Sequence, residues 1–294
     1  MFEVSNELFK RVFVRYPQKS ESLVFHTVNG LYIPFDPNWR NVAVSLSGGA
    51  DSCSLALILC NIIKENNYDC KVHVVTFLRC WSTRPWQEPI AINVYEKLKS
   101  MFPNIIGERY AGYIPPELEH GVSGTLTSSG NSSGENKLLG NKSGDQIFGG
   151  SFYNYVAHRY GMDAVFNATS KNPKGVEFQT HWDRAPGREK DAEDGRLGDL
   201  IYTQNNERVW FITPYRFVQK SWIVAQYHLF DAMDLYHTTR SCEGDLDVPM
   251  IKEIFPDLYH YKWGDAIPEC GVCFWCMERN WAEETCKEVV DKFK

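Results

Sequence analysis

No stretch of this sequence approaches the roughly 18 consecutive apolar residues that a membrane-spanning helix needs. The opening residues, MFEVSNELFKRVFVRYPQKS, lack the basic-then-apolar layout of a signal peptide, so the expected location is the cytoplasm. Surplus positive charge is missing as well. Lys and Arg total 31 against 37 Asp and Glu, a formal net charge of −6. On average such a surface repels nucleic acid and anionic lipid, and neither is an expected partner. Internal repeats are absent, and no second domain stands out.

What remains is 294 residues, 43% hydrophobic, 14% aromatic and 23% charged, the profile of a globular protein with ample core material. The nine cysteines are an odd number, and in a reducing compartment they are not expected to pair as disulfides. Cys53, Cys60, Cys70 and Cys80 lie scattered in apolar or strand-like text. Cys270, Cys273 and Cys276 instead recur at three-residue intervals, with Cys242 upstream.

Residues 1–40 read as an irregular or hairpin-bearing extension, because Asn29-Gly30 between apolar stretches is a tight-turn signal. From Val42 the pattern changes. A short apolar run, Val42-Ala43-Val44, meets a glycine-rich turn, and the text after Asp51 carries helical apolar spacing. Further strands are predicted over 72–77, 104–109, 164–166 and 209–213, with helices over 90–101, 146–160, 220–230 and 274–292. This alternation predicts an α/β fold, a doubly wound, Rossmann-like, parallel five-stranded sheet within a domain over 41–235, followed by a cysteine-bearing region over 236–294. Two segments interrupt it. Residues 121–145 are dominated by Gly, Ser, Asn and Thr, which predicts a mobile insertion, and the charged run 181–199 reads as a surface excursion.

The turn Ser47-Gly48-Gly49-Ala50-Asp51-Ser52 sits between the first strand and the first helix. Backbone N–H groups and the positive end of the helix converge there on any docked anion. The glycines let the main chain approach oxygen atoms, Ser47 and Ser52 offer hydroxyls, and Asp51 suits a magnesium ion held against the same oxygens. The turn matches neither GxxxxGK(S/T) nor GxGxxG, and its length suits pyrophosphate. The bland reading is a glycine-rich turn that binds nothing.

These residues resemble the PP-loop ATP pyrophosphatases, which cleave ATP between the α and β phosphates. The resemblance implies that ATP adenylates an oxygen of the substrate while the loop retains pyrophosphate. Adenine would then neighbour Ser45 and Thr76, Phe77 and Leu78, read mainly through backbone atoms. Lys220, opening the helix after the fifth strand, either neutralises the phosphates or is a solvated first-turn lysine. Asn167 and Lys171, at the end of the fourth strand, sit where doubly wound sheets place substrates. Trp81, Arg84 and Trp86 either wall a pocket or merely cover the sheet. His73 and His158 read as packing residues rather than bases.

Cys270, Cys273 and Cys276 supply three thiolates, and Cys242 can close a tetrahedron. Zinc is the natural ion, with iron–sulfur ligation its main competitor. Four thiolates leave no open position, so the role expected is structural, stabilising folds by on the order of 10 kcal/mol in peptides.

Thr239-Arg240-Ser241-Cys242 followed by Cys270-Gly271-Val272-Cys273-Phe274-Trp275-Cys276-Met277-Glu278-Arg279 looks like the 7-cyano-7-deazaguanine synthases, the QueC family. That resemblance covers roughly residues 40–110, 145–175 and 208–285. It implies adenylation of 7-carboxy-7-deazaguanine, displacement of AMP by free ammonia, and a second ATP that takes the amide to the nitrile. It also implies a homodimer. Phe274, Trp275 and Arg279 would then either hold the flat deazapurine or pack the last helix. Two departures stand out: Asp145-Gln146 where the family carries Arg-Asn, and Arg240 where it carries an aromatic. An enzyme that stops at the amide, or that transfers the deazaguanine to another molecule, would keep the same motifs. The other readings are a different PP-loop amidotransferase, a tRNA-thiolation enzyme, or a non-catalytic nucleotide-binding protein.

Overall fold

The computed structural model describes residues 22–78, 84, 86–114, 144–171, 173, 201–203, 209–242, 269–271 and 273–294. The expected insertion up to residue 143 and the charged run at 181–199 lie outside them, whereas Gly144 and Asp145 already belong to a helix.

A six-stranded sheet runs in the order β5 (Ile106–Tyr113), β4 (Lys71–Leu78), β3 (Asn41–Ser45), β6 (Ala164–Phe166), β8 (Trp210–Ile212), β7 (Ile201–Thr203). The first five are parallel, as the alternating pattern predicts; β7 adds an antiparallel edge that three residues of sequence gave no period to reveal. Val42, Ala43 and Val44 are fully buried, the mark of a central parallel strand covered on both faces. After β3 the chain moves outward to β4 and β5, then returns to β6 on the other side of β3. The order therefore reverses between β3 and β6, and the crevice at their carboxyl ends is where such sheets take ligands.

Helix α1 (Ala50–Asn66) follows β3 and is buried along most of its length. Its Ala50 carbonyl accepts a hydrogen bond from Tyr227 Oη at 2.6 Å, and Ser54 Oγ lies 2.9 Å from Tyr215 Oη. Helix α2 (Gln87–Met101) leads to β5, and α3 (Gly144–Arg159) leads to β6. After β8 and the 3-10 turn Pro214–Phe217 come α4 (Lys220–Leu229), the short α5 (Met233–Tyr236) and the last helix, α6 (Phe274–Phe293).

The expected hairpin is present as β1 (Val24–Val28) and β2 (Leu31–Phe35). Asn29 and Gly30 both take positive φ, 47° and 82°, as the tight turn with the right twist demands. The hairpin is seated on the core: Leu31, Ile33 and Phe35 are buried on one side of β2. The Asn29 carbonyl accepts from Trp222 Nε1 at 3.0 Å, and Asn29 Nδ2 donates to Gln226 Oε1 at 2.7 Å. Both partners are on α4, so the hairpin braces the helix that begins with Lys220. Among the described residues no helix is long and apolar enough to cross a membrane.

Candidate functional site

A cavity of about 310 Å³ opens at the β3–β6 crevice. Its floor is the turn after β3. Gly48 takes φ 84°, and a Cβ there would stand 3.0 Å from Ile90 Cγ2 and 3.2 Å from the Ala91 nitrogen, so α2 packs against bare backbone. The turn is knotted by its serines: Ser52 Oγ accepts from the Ser47 N–H (3.2 Å), lies 3.2 Å from Ser47 Oγ and donates to the Gly49 carbonyl (3.1 Å). Gly49 caps α1 in extended conformation with no side-chain cap. The first intrahelical bond is Cys53 N–H to the Gly49 carbonyl, 3.2 Å. The N–H groups of Ala50, Asp51 and Ser52 precede it, leaving the positive end of a 17-residue helix turned toward the cavity.

Among the described residues three cationic side chains, Lys220, Arg84 and Arg240, line this space against one carboxylate, Asp51. Lys220 is 3% exposed; its Nζ lies 3.0 Å from Asp51 Oδ1 and 3.4 Å from Glu278 Oε2. The Asp51 side chain keeps 21% exposure and accepts a hydrogen bond from Ser170 Oγ at 2.9 Å on its other oxygen. The opposite wall is Trp86, with the Arg240 guanidinium 4.1 Å above its ring. The Arg240 N–H donates to the Gly48 carbonyl at 2.9 Å, which ties the segment before Cys242 to the Ser47–Ser52 turn.

The residues expected at this site divide. Ser45, Ser47, Gly49, Ala50, Asp51, Ser52, Asn167, Lys220 and Trp275 line the cavity, and Gly48 shapes its floor. Thr76, Phe77 and Leu78 do not line it. Thr76 and Leu78 are fully buried in the sheet, and the Phe77 carbonyl is already taken by Gln87 Nε2 at 3.1 Å, so Gln87 stands where the strand edge was expected. Lys171 turns its backbone to the Val218 carbonyl (2.8 Å) and lies outside the lining, as does Phe274.

The contacts of Arg279 among the described residues are to the protein itself. Its guanidinium donates to the Thr239 carbonyl (2.9 Å) and Thr239 Oγ1 (3.3 Å), and stacks 4.2 Å over Tyr236. It fastens α6 to the chain ahead of Cys242.

Of the residues that sequence reasoning did not single out, Ser170 and Gln87 line the cavity, while Glu278 and Tyr153, whose hydroxyl lies 2.5 Å from Ser45 Oγ, contact its lining from behind. Arg240 was noticeable only as a departure from a motif. His73 is a packing residue as expected, between Asn41 Oδ1 (3.1 Å) and the Glu108 N–H (3.1 Å).

The sulfur atoms of Cys242, Cys270, Cys273 and Cys276 all lie within 4.8 Å of one another, and all four residues are buried. Cys242 and Cys270 sulfurs are 3.5 Å apart, Cys270 and Cys276 3.9 Å. Tetrahedral Zn–S bonds of about 2.3 Å separate thiolates by about 3.8 Å, so the set fits a single thiophilic ion. A 4Fe–4S cluster puts each thiolate on a different iron and a 2Fe–2S cluster puts two on each of two irons, and either spreads the set farther than one ion does. Cys273 caps α6, its sulfur accepting from the Cys276 N–H at 3.4 Å, and Cys270 N–H points to the Cys242 sulfur at 3.4 Å. Hydrogen bonds from Cys270, then Cys273 and Cys276, draw the Cys242 thiol far below the ordinary range, while the bond to Cys242 pushes Cys276 far above it. Charge is thus drawn to the Cys242 sulfur, and the hydrogen bonds that its neighbours donate to it are what favour the thiolate there. Cys242 also lines the cavity, so the cluster and the turn share a wall.

No protein-family model and no curated protein sequence matches the chain. Among solved structures it is similar to the U34-tRNA thiolase NcsA from Methanococcus maripaludis, with its 4Fe-4S cluster: 13% identity, 96% of this chain and 81% of that one, TM-score 0.43. It is also similar to a phosphoadenylyl-sulfate reductase from Candida auris in a phosphate complex (11% identity, 72% and 84% covered, TM-score 0.35). A third is an NAD+ synthetase from Burkholderia pseudomallei (13% identity, 100% and 89% covered, TM-score 0.35). Likenesses at this level carry nothing about chemistry, and the architecture is read from the strand order alone.

Proposed function

We propose that this protein is an ATP-dependent carbon–nitrogen ligase that adenylates the carboxylate of 7-carboxy-7-deazaguanine and passes its acyl group to ammonia, continuing through the amide to the nitrile. The observation that carries the reading is the uncapped start of α1, aimed into a cavity walled by Lys220, Arg84 and Arg240 at the reversal of strand order.

An ATP molecule lodged there puts its β and γ phosphates on the N–H groups of Ala50, Asp51 and Ser52. Lys220 then neutralises charge that builds on the departing pyrophosphate. The substrate carboxylate attacks the α phosphorus and pyrophosphate leaves. Ammonia adds to the acyl carbon of the mixed anhydride, and AMP departs with the electron pair of the broken C–O bond. For the nitrile, the amide oxygen attacks the α phosphorus of a second ATP, pyrophosphate and one N–H proton leave to give the adenylated imidate, and loss of AMP with the remaining N–H proton leaves the triple bond. Trp86 and Arg240 give the flat ring an aromatic and cationic wall.

Asp51 is the carboxylate among the described lining residues, which meets the modest protein contribution that magnesium asks for beside substrate phosphates. Bound magnesium would supply charge neutralisation at those phosphates. Cys242, Cys270, Cys273 and Cys276 would hold zinc in a closed structural site. By the same resemblance the enzyme works as a homodimer.

Arg240 favours a second reading, in which the same activation serves transfer of the deazaguanine to another molecule. A cation replaces the family's aromatic at the cavity wall and suits an acceptor with its own negative charge.

Purified protein incubated with ATP, magnesium, ammonium and the acid tests both. AMP with the nitrile mass is expected; the amide as final product ends the reaction at the first ATP, and no product until another acceptor is supplied selects the second reading. Asp51→Ala abolishes AMP formation. ADP in place of AMP overturns the proposal, since cleavage then falls at the other phosphate.

A further inference from the structure

Glu278 is fully buried, lies outside the cavity lining and has its carboxylate 3.4 Å from Lys220 Nζ. On its other side Lys220 meets Asp51 at 3.0 Å. One buried ammonium thus stands between two carboxylates of unequal situation: Asp51 faces the cavity, and Glu278 is sealed behind. A buried ammonium without a counter-charge is costly, and an Asp51 locked to Lys220 is lost to any cation that accompanies phosphate. From this inequality we infer that Glu278 is a positioning residue for Lys220, the fixed counter-charge that holds the ammonium at the cavity wall when Asp51 turns to a magnesium-bound phosphate.

The inference rests on the nucleotide reading above and adds a path by which the cysteine cluster reaches the reacting phosphates. Glu278 lies one turn into α6, whose start is fixed by Cys273 and Cys276 and whose flank is fastened by Arg279. Its carboxylate is therefore placed by the metal region and not by the sheet. The step from Glu278 to Lys220 crosses from α6 to α4, and the step to Asp51 crosses to α1. Three helices contribute one residue each to a single charged row.

A double-mutant cycle tests it. With Lys220 present, Glu278→Gln lowers kcat for AMP formation by about tenfold or more while KM for ATP moves by less than about threefold, because the contact matters as charge develops. Glu278→Asp recovers part of that loss. In the Lys220→Met background Glu278→Gln has no further effect. Calorimetry with magnesium pyrophosphate reads the same coupling without turnover: Glu278→Gln shifts the Kd only when Lys220 is present. Metal content and melting temperature are measured on every variant, and Glu278→Asp stands in if the Gln protein does not fold. Equal shifts in both backgrounds, an unchanged kcat, or a loss that follows metal content overturns the inference and leaves the nucleotide reading standing. A wild-type protein that binds no pyrophosphate and forms no AMP sinks both.

Discussion

Arg279 donates from Nη1 to the Thr239 carbonyl at 2.9 Å, a bond that spans from the last helix to the strand of chain running into Cys242. Its further contacts include the Tyr236 ring beneath, the Tyr236 carbonyl at 3.4 Å, Glu283 Oε1 at 3.4 Å and Glu269 Oε1 at 3.8 Å, all of them protein groups. Arg279→Ala is expected to cost about 3 kcal/mol, since it strips partners from buried carbonyls and a flanking carboxylate. Chemical denaturation checks this. A variant of wild-type stability with a raised KM for the acid would return Arg279 to substrate binding.

Gly48 accepts no side chain. With φ at 84° and a Cβ position 3.0 Å from Ile90, Gly48→Ala strains the backbone by about 1–2 kcal/mol and displaces α2 from the turn. The expected result is loss of AMP formation with a fold intact by circular dichroism. Full activity in that variant would mean that the turn is not where phosphate sits.

Four sulfurs within 4.8 Å predict one thiophilic ion per chain. Mass spectrometry under native conditions should find zinc, and Cys273→Ser should reduce it well below one ion per chain and lower the melting temperature. Zinc at full occupancy in the serine variant would remove Cys273 as a ligand; iron with visible absorbance would replace the single-ion assignment by a cluster.

His73 gives a pH signature. Burial holds its pKa below the ordinary 6.5, and the ring's two nitrogens are committed to Asn41 and the Glu108 N–H, an arrangement that the neutral form satisfies. The folded value is depressed below the unfolded one, so this contribution is complete above pH 6.5 and is lost as pH falls through the folded pKa. His26 is depressed by burial too and acts in the same direction. Melting temperature should therefore decline on acidification below pH 6.5, less steeply in His73→Gln. An identical slope in the two proteins would assign the acid sensitivity elsewhere.

Much of the architecture was legible because parallel strands advertise themselves. Val42-Ala43-Val44 and the run from Val72 are near-continuous apolar text, and the turn at Ser47–Ser52 follows the first of them directly. The cysteines were legible from spacing, and the hairpin from Asn29-Gly30. Strand β7 was not, because three residues at an edge carry no period. At Thr76–Leu78 the strand end looks open in sequence, while in space Gln87 from the next helix occupies the Phe77 carbonyl. Glu278 was hidden by distance. Nothing near it in the chain needs a buried carboxylate, and only the meeting of α6 with α4 supplies the lysine that does. Arg279 shows the reverse, a residue whose motif suggested a ligand and whose neighbours in space are the carbonyls of Tyr236 and Thr239.

The brace between the hairpin and α4 bears on how the molecule is made. Gly30 at the hairpin tip lies against Phe293, the final residue of α6, so the earliest and latest described elements meet beside α4. A nascent chain leaving the ribosome can build the sheet and α1 long before α6 emerges. Until then Lys220 lacks Glu278, the four-cysteine set lacks Cys276, and the apolar flank of α4 faces water. Translation arrested ahead of residue 273 should therefore yield a chain that chaperones retain, and stop codons in α6 should be far more damaging than their small share of the sequence suggests.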